Sequence, residues 1–315
     1  MSKKTGVAVV GISGLAGDML ISVLEDDTFS FTDLHLVDAD DEAGERRMIK
    51  GQSMRVEPIS RFDFSQIAVV VMASDAAFVQ EWAPKIRAAG ALLVDTSGSL
   101  GGQAVVAEVN PHALASSKEK GVVFSPDSQV VQSAIVLKAL TSIAPIQRVG
   151  IATYQSMSTH SRAAVEALAM QTSKLLNGQP VDKGVLDKQA AFNLSPCVSE
   201  LDEAGASREE RLLTAGVQAC LEAPDLPVLV NAVMVPLFYG SAQMMQVTFA
   251  EAPDVKRIVN MLRRAKGSDN VWVGRVRADA TEPNTIHMWI VSDNLRKGVA
   301  INSLMLAELL IKDYL

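Results

Sequence analysis

The sequence has few of the residues that form disulfides or bind metals. It contains two cysteines, Cys197 and Cys220, and only four histidines among 315 residues. Two cysteines cannot supply the disulfide framework of a small secreted protein, and the histidines show no spacing typical of a metal site. We therefore expect no metal, and we expect both cysteines to behave as small buried apolar residues.

Basic residues and long apolar runs are also scarce. The chain has 29 Lys and Arg against 36 Asp and Glu, a net charge of -7, so it has no excess of positive charge for nucleic acid or an anionic membrane. No run approaches the ~20 apolar residues of a membrane span, and glycines interrupt the N-terminal apolar stretch, which argues against a signal peptide. These features predict a cytoplasmic protein whose partners are other proteins or small molecules.

The remaining composition is that of a globular protein large enough for two domains. In the first half, short apolar strands at 7–10, 34–37, 67–73 and 91–94 alternate with helical stretches. This alternation predicts an α/β fold with a Rossmann-type, doubly wound parallel sheet. From residue 146, longer strands with few helices predict an α+β domain, in which Ser207 and Glu210 form a capping box at the start of a helix.

A glycine loop joins the first strand to the first helix. The residues expected to contact a nucleotide there are Gly11, Ser13, Gly14, Leu15, Ala16 and Gly17. A pyrophosphate would lie at the helix N-terminus, and Asp38, at the end of the second strand, would accept hydrogen bonds from ribose hydroxyls and repel a 2′-phosphate. The sequence therefore favours NAD over NADP. The alternative is a Rossmann-type fold that binds no nucleotide.

A second strand-to-helix turn, at residues 125–127, leads into a helix that opens at Ser128. Such a turn can hold a nucleophile, because the helix N-terminus stabilises negative charge. Ser128 is therefore a candidate catalytic residue. On residue type alone, an N-cap role for Ser128 or Asp127 is the better explanation.

Motifs along the whole chain point to a known family. They occupy residues 11–17, 94–97, 108–110, 125–129, 153–155, 191–193, 273–275 and 287–298. In these motifs and their order, the chain resembles the aspartate-semialdehyde dehydrogenases, and in particular the Usg-type branch that lacks the catalytic cysteine.

The resemblance implies a homodimer with a Rossmann nucleotide-binding domain, residues 1–127 with 294–315, and an α+β dimerisation and catalytic-type domain, residues 128–293. Family members interconvert aspartyl phosphate and aspartate semialdehyde through a cysteine thioester, with NADP as hydride carrier. If each residue has the role of the family residue at the matching position, the resemblance implies that Gln155 is catalytic. It likewise implies that Ser158 and Asn294 contact the cofactor and that Glu209 contacts the substrate.

Several positions depart from the family pattern. Ser128 falls where the family has its nucleophilic cysteine, and a hydroxyl needs a stronger, aligned base than a thiol does. Met234 and Ser241 stand where the family has its substrate-binding arginine and general-base histidine. Gly101 and Leu212 replace the phosphate-binding arginine and a lysine, so the resemblance implies a site without cations for an acidic substrate.

Three hypotheses follow, in order of preference. The first is a family member without the dehydrogenase activity that binds NAD, another protein or a small molecule. The second is an NAD(P)-dependent semialdehyde dehydrogenase for a related substrate of amino-acid metabolism, using Cys197 or a base not yet placed. The third is a hydrolase in which His160, at the start of a helix, activates Ser128.

Four further residues receive structural interpretations. Residues 192–197 are interpreted as a buried strand and its end, which would place Cys197 in the core. His287 is interpreted as a hydrogen-bonded structural histidine. Arg296 and Lys297, in the first turn of the last helix, would face an anion, solvent or a dimer interface, because positive charge is unfavourable at a helix N-terminus.

Overall fold

The computed structural model describes residues 5–26, 29–196, 199–263 and 271–314, so Cys197 lies outside the described residues. The chain divides into two compact units. The first runs to Val131 and resumes at Leu295, and the second is Gln132–Asn294. Helix α4, Ser128–Thr141, contains the boundary between them.

The first unit is built on a seven-stranded sheet of order β3-β4-β2-β1-β5-β6-β7. Neighbouring strands are parallel, except that β3 is antiparallel to β4. Its strands and helices are β1 (Gly6–Val10), α1 (Leu15–Glu25), β2 (Leu34–Asp38), β3 (Arg46–Ile49), β4 (Gln52–Pro58), β5 (Ile67–Met72), α2 (Ala76–Ala88), β6 (Leu92–Asp95), α3 (Leu114–Lys120) and β7 (Val122–Phe124). The predicted Rossmann-type fold is confirmed. Strands β3 and β4 were missed because their residues are largely exposed and form no apolar run.

The two faces of this sheet pack against different helices. Val9 and Val69 lie in one core with α1 and the end of the chain, whereas Val10 and Val70 lie in the other with α2. Because both faces are covered, the central strands are apolar at successive positions rather than at alternate ones. This arrangement brings the carboxyl ends of β1 and β2 together with the N-terminus of α1.

The second unit is built on a five-stranded mixed sheet of order β11-β12-β10-β8-β9, in which only the β8–β9 pair is parallel. Its elements are β8 (Ile146–Gln155), α5 (Arg162–Leu176), α6 (Arg208–Leu221), β9 (Val228–Met234), β10 (Ser241–Phe249), α7 (Val255–Arg263), β11 (Trp272–Ala278) and β12 (Thr285–Ser292). The α+β prediction is confirmed. The capping box is also present at the start of α6, between Ser207 and Glu210.

The chain ends in a continuous helical segment. Asn294–Ile301 and Leu310–Tyr314 are π-helical, and α8, Asn302–Leu309, lies between them. Ala300, Leu304 and Ala307 are fully buried, which agrees with the apolar character of the segment on all sides. Among the described residues, no helix combines the length and apolarity needed to cross a membrane.

The interpretation of residues 192–197 as a buried strand is wrong. Phe192 has a positive φ of 57°, and Phe192 and Leu194 are 67% and 62% exposed. Asn193 shapes this turn, since its side chain accepts a hydrogen bond from the Leu194 amide and donates one to the Gln189 carbonyl. Local side-chain to backbone hydrogen bonds of this kind compete with strand formation.

Candidate functional site

The glycine loop after β1 needs glycine at its two ends. Gly11 has φ +85°, and a Cβ there would lie 2.7 Å from the Ala73 carbonyl oxygen. A Cβ on Gly17 would lie 2.3 Å from the Ile12 Cα, so only glycine lets α1 approach the loop. Gly14, by contrast, is the N-cap of α1 and has open space beside its Cα. The loop thus presents exposed backbone at a helix N-terminus, as a phosphate site requires.

Asp38 joins this loop to β2. Its carboxylate is buried, and its two oxygens accept hydrogen bonds from the backbone amides of Ser13 and Ala39, each at 2.8 Å. The structure therefore brings together the predicted cofactor residues of the first unit. Nearby, the Ser60 hydroxyl and then the Ser60 amide hold the pKa of Asp40 below its usual range.

Ser128 is the first residue of α4. Asp127 accepts a hydrogen bond from the Gln129 amide at 2.7 Å, so Asp127 is the N-cap and Ser128 is not. Ser128 is 6% exposed, and a Cβ added to Gly298 would lie 2.2 Å from the Ser128 Cβ. Within the described residues of this unit, no carboxylate or imidazole hydrogen-bonds to the Ser128 hydroxyl.

The terminal segment that carries Gly298 is held by charged and amide side chains. Arg296 pairs with Asp26 at 2.5 Å, and the buried Lys297 pairs with Glu108 at 2.6 Å. Both cations thus face carboxylates of the same unit, which answers the question left open by the sequence. In α8, the Asn302 side chain donates to the Ser125 hydroxyl at 2.8 Å and so holds the turn before Ser128.

In the second unit, Ser158 and Asn294 belong to one buried network. The Asn294 side-chain amide donates to the Ser158 hydroxyl at 3.1 Å, and its oxygen accepts a hydrogen bond from the Gly240 amide at 2.9 Å. The Ser156 hydroxyl completes the network at 3.0 Å from that of Ser158. Gln155, at the end of β8, is also buried and donates to the Thr153 hydroxyl at 3.2 Å. The contact of Ser158 and Asn294 with a cofactor stays a prediction, and no signal in the sequence marked Ser156 as a member of the network.

The second unit also contains a pocket of about 270 Å³. Its lining includes Met157, His160, Asn193, Ser199 and Met234. Residues 185–195, with Ser199 and Glu200, supply most of the wall. Apart from the family motif at 191–193, this stretch carried no sequence signal for a site. Glu209 lies behind the wall, where its carboxylate accepts a hydrogen bond from the Ser199 hydroxyl. Partial burial lowers the pKa of His160, and the Glu209 carboxylate opposes that shift.

Two other titratable groups of this unit have structural explanations. The His287 imidazole lies 2.5 Å from the Asp279 carboxylate, in agreement with the interpretation of a hydrogen-bonded histidine. Burial raises the pKa of the Cys220 thiol to about 12, so this thiol is not a nucleophile at neutral pH. Over the described ranges of the chain, no group of three or more His, Cys, Asp or Glu side chains could hold a metal ion.

A Rossmann-type unit with a nucleotide loop, followed by a separate α+β unit, is the architecture of a class of two-domain dehydrogenases. Comparison with known proteins agrees with this class. Residues 6–117 match the family model described as "Semialdehyde dehydrogenase, NAD binding domain", and residues 137–267 and 260–297 match "Semialdehyde dehydrogenase, dimerisation domain".

Similar proteins cover the whole chain. It is 31% identical to aspartate-semialdehyde dehydrogenase 2 of Vibrio cholerae over 100% of both chains, and 37% identical to a USG-1 protein homolog of Azotobacter vinelandii over 99% of both. The crystal structure of the Vibrio cholerae aspartate semialdehyde dehydrogenase II complexed with ASA covers 100% of both chains with a TM-score of 0.94. A probable aspartate-semialdehyde dehydrogenase of Pseudomonas aeruginosa is 34% identical with a TM-score of 0.93, over 99% of this chain and 100% of that one. The chain belongs to the semialdehyde dehydrogenase family.

Proposed function

We propose that the protein is a homodimeric, NAD-binding member of the family that lacks aspartate-semialdehyde dehydrogenase activity. The observation that carries this proposal is Ser128. It is buried at the start of α4 beneath Gly298, where the family resemblance expects a cysteine. A serine hydroxyl is a poor nucleophile without an aligned base, and the ester it would form is a poorer acyl donor than a thioester.

The family resemblance also implies the loss of cations that an acidic substrate needs. The resemblance places Met234, Leu212 and Gly101 at positions where the family has basic side chains. None of these can form the bidentate hydrogen bonds by which arginine holds carboxylates and phosphates. The loss of nucleophile and cations together supports an inactive site rather than a rearranged one.

The choice of NAD rests on Asp38. Its carboxylate accepts the Ser13 amide of the glycine loop, so its negative charge lies beside the nucleotide site. Repulsion between the Asp38 carboxylate and a 2′-phosphate about 4 Å away would weaken NADP binding by roughly 1 to 4 kcal/mol per pair of charges, depending on solvent screening. The match of residues 137–267 to a dimerisation domain supports the homodimer.

Calorimetric titration with NAD and with NADP tests the cofactor. We expect NAD to bind at least tenfold more tightly, and we expect Asp38→Asn to narrow that ratio because it removes the charge and keeps the acceptor. Asp63→Asn, which changes an exposed carboxylate bonded to Ser65 before the start of β5, serves as the matched control and should leave the ratio unchanged. Tighter binding of NADP by the native protein would contradict the proposal.

Cofactor reduction with aspartate semialdehyde and phosphate tests the activity. We expect no turnover by the native protein, and none by Ser128→Cys, because a restored thiol still lacks a base and substrate cations. Robust phosphate-dependent reduction by the native protein would refute the inactive site, whatever the nucleotide titration shows.

A further inference from the structure

The pocket of the second unit has a wall fixed by one buried side chain. Gln171 of α5 is 2% exposed, and its amide nitrogen donates to the carbonyls of Asp182 and Lys183. Its oxygen accepts hydrogen bonds from the amides of Ala190 and Ala191, at 2.8 and 3.2 Å. Four backbone groups of one loop are thus tied to a single helix. The pocket is therefore preformed, as small-molecule sites usually are.

Apolar side chains form one part of the pocket lining. Met157 is 1% exposed and packs in a cluster with Ala191, while Leu186 and Met234 are partly buried against the same cluster. Methionine thioethers adapt to the shape of an aliphatic ligand. At about 270 Å³ the space equals roughly nine water volumes of about 30 Å³ each, which fits a short-chain molecule.

Several hydrogen-bonding groups of the pocket lining are uncharged. Asn193, Ser195 and Ser199 carry amide or hydroxyl groups, and partial burial lowers the pKa of His160, so its imidazole is neutral at pH 7. Such groups pair with a carbonyl or hydroxyl without the desolvation cost that an ion would bring.

The charged groups around the pocket do not favour an anion. Asp187, Lys188 and Glu200 lie at the exposed rim, where water and salt screen their opposite charges. Glu209 is half-buried behind Ser199, which donates to it. A carboxylate or phosphate entering the pocket would approach this negative charge without a cation at the pocket floor.

We infer that this pocket binds a short aliphatic alcohol or aldehyde that carries no charged group. The alkyl chain lies against Met157 and Met234, and the ligand oxygen hydrogen-bonds to His160 or Asn193. The inference deepens the proposed function and rests on it, since it gives the ligand class of a family member without cations for an acidic substrate.

A matched series of probes tests the ligand class. Saturation-transfer NMR is used to titrate 1-pentanol, pentanoate and pentylamine against the full-length protein without nucleotide. We expect 1-pentanol to bind at least tenfold more tightly than either ion. Pentanoate or pentylamine binding as tightly as the alcohol, or no binding of the alcohol, would overturn the inference.

Two pairs of variants place the binding in this pocket. Met234→Arg puts a cation on the pocket floor and should reverse the preference, so that pentanoate binds at least tenfold more tightly than 1-pentanol. Leu229→Arg is the matched control, because it adds the same charge at an exposed position of the same strand that does not line the pocket. If Met234→Arg and Leu229→Arg changed the preference between 1-pentanol and pentanoate equally, the assignment of binding to this pocket would be refuted.

His160 provides the second pair, at a residue that is exposed on one side and whose replacement should leave the fold intact. His160→Phe should weaken 1-pentanol binding about tenfold, and His160→Gln, which keeps a hydrogen-bonding group, should restore most of it. No change in His160→Phe would overturn the assigned contact. These titrations contain no nucleotide. A failure of the pocket to bind 1-pentanol can therefore be told apart from a failure to bind NAD and from detection of dehydrogenase activity.

Discussion

The Cα of Gly298 lies against Ser128, so close that an added Cβ would be 2.2 Å from the serine Cβ. No flexible side-chain end is available to move aside, because the clash involves both the Cβ and the backbone Cα of Ser128, at 2.2 and 2.5 Å. The ion pairs of Arg296 and Lys297 hold this part of the terminal segment in place. Position 298 therefore accepts only glycine beside the backbone and Cβ of Ser128.

Gly298→Ala should destabilise the protein by about 1–3 kcal/mol, the usual cost of overpacking. Ser128→Gly removes the opposing Cβ but leaves the Cα of residue 128, which lies 2.5 Å from the added Cβ, so the double variant should recover only part of the loss in a double-mutant cycle measured by urea unfolding. Gly274→Ala, at a glycine with open space beside it, is the control and should cost much less. Additive effects of the two changes would contradict direct packing.

At the scale of elements, one side chain both caps the start of α6 and ties this helix to strand β9. Glu210 accepts the Ser207 amide in the capping box, and its second oxygen accepts the Ala232 amide of β9 at 2.8 Å. The capping box was predictable because it depends on spacing along the chain. The bond to β9 was not, since it joins residues that are distant in sequence.

Glu210→Ala should therefore cost more than Ser207→Ala. Loss of the serine cap should lower the free energy of unfolding by about 1 kcal/mol. Loss of the glutamate also leaves the buried Ala232 amide without its acceptor, so about 2 kcal/mol is expected. Urea midpoints measure both, with Arg208→Ala in the first turn of the same helix as control. Equal losses for the two variants would show that the bond to β9 contributes nothing.

The connection between β11 and β12 depends on one carboxylate. The His287 imidazole, followed by the Thr281 hydroxyl and amide and the Glu282 amide, holds the pKa of Asp279 well below its usual range. A depressed folded-state pKa stabilises the fold above the unfolded pKa of about 3.9, and that stabilisation is lost as the pH falls through the folded value.

Asp279→Asn should accordingly lower the urea midpoint at pH 7, and the gap from the native protein should shrink as the pH falls below about 4. Asp254→Asn removes an exposed carboxylate that caps α7. It is the control, because it shows whether replacing any carboxylate changes the dependence of stability on pH. A gap that stays constant from pH 7 to pH 3 would rule out titration of Asp279 as the cause.

At the scale of the whole molecule, one face of the second-unit sheet is incompletely covered. Met244 lies opposite Trp289 on β12, and Tyr154 packs beside Trp289 with ring centroids 5.1 Å apart. All three side chains are only partly buried, whereas Met245 and Met288, on the opposite face, are almost completely buried. Half-buried aromatic and methionine side chains are typical of an interface between subunits.

We expect the protein to be a dimer by light scattering, and we expect Met244→Lys to raise its dissociation constant at least tenfold. A charge in the apolar centre of such a face cannot be solvated in the dimer. Met48→Lys, at an exposed methionine of the first unit, is the control. A dimer unaffected by Met244→Lys would mean that the subunits meet elsewhere.

Prediction from sequence succeeded where the signal is local. The apolar strands of the first unit, the glycine loop and the capping box depend on apolar runs and fixed spacings, and these were found. Strands β3 and β4 and the turn at Phe192 were not, because exposed strands carry little apolar pattern and Asn193 favours a turn through its own hydrogen bonds. The pocket wall at 185–195 was also missed, since a Gln171 side chain distant in sequence holds it.

The sequence by itself determined the family, the two types of sheet and the absence of a cysteine at position 128, because these follow from residue identity and short-range order. Only the tertiary structure decided that Asp38 holds the Ser13 amide, that Gly298 lies against Ser128, and that a pocket with both apolar and polar lining forms beside His160. Each of these depends on groups 25 or more residues apart in the chain. Chain folding alone sets such distances, since no local pattern of residues encodes them.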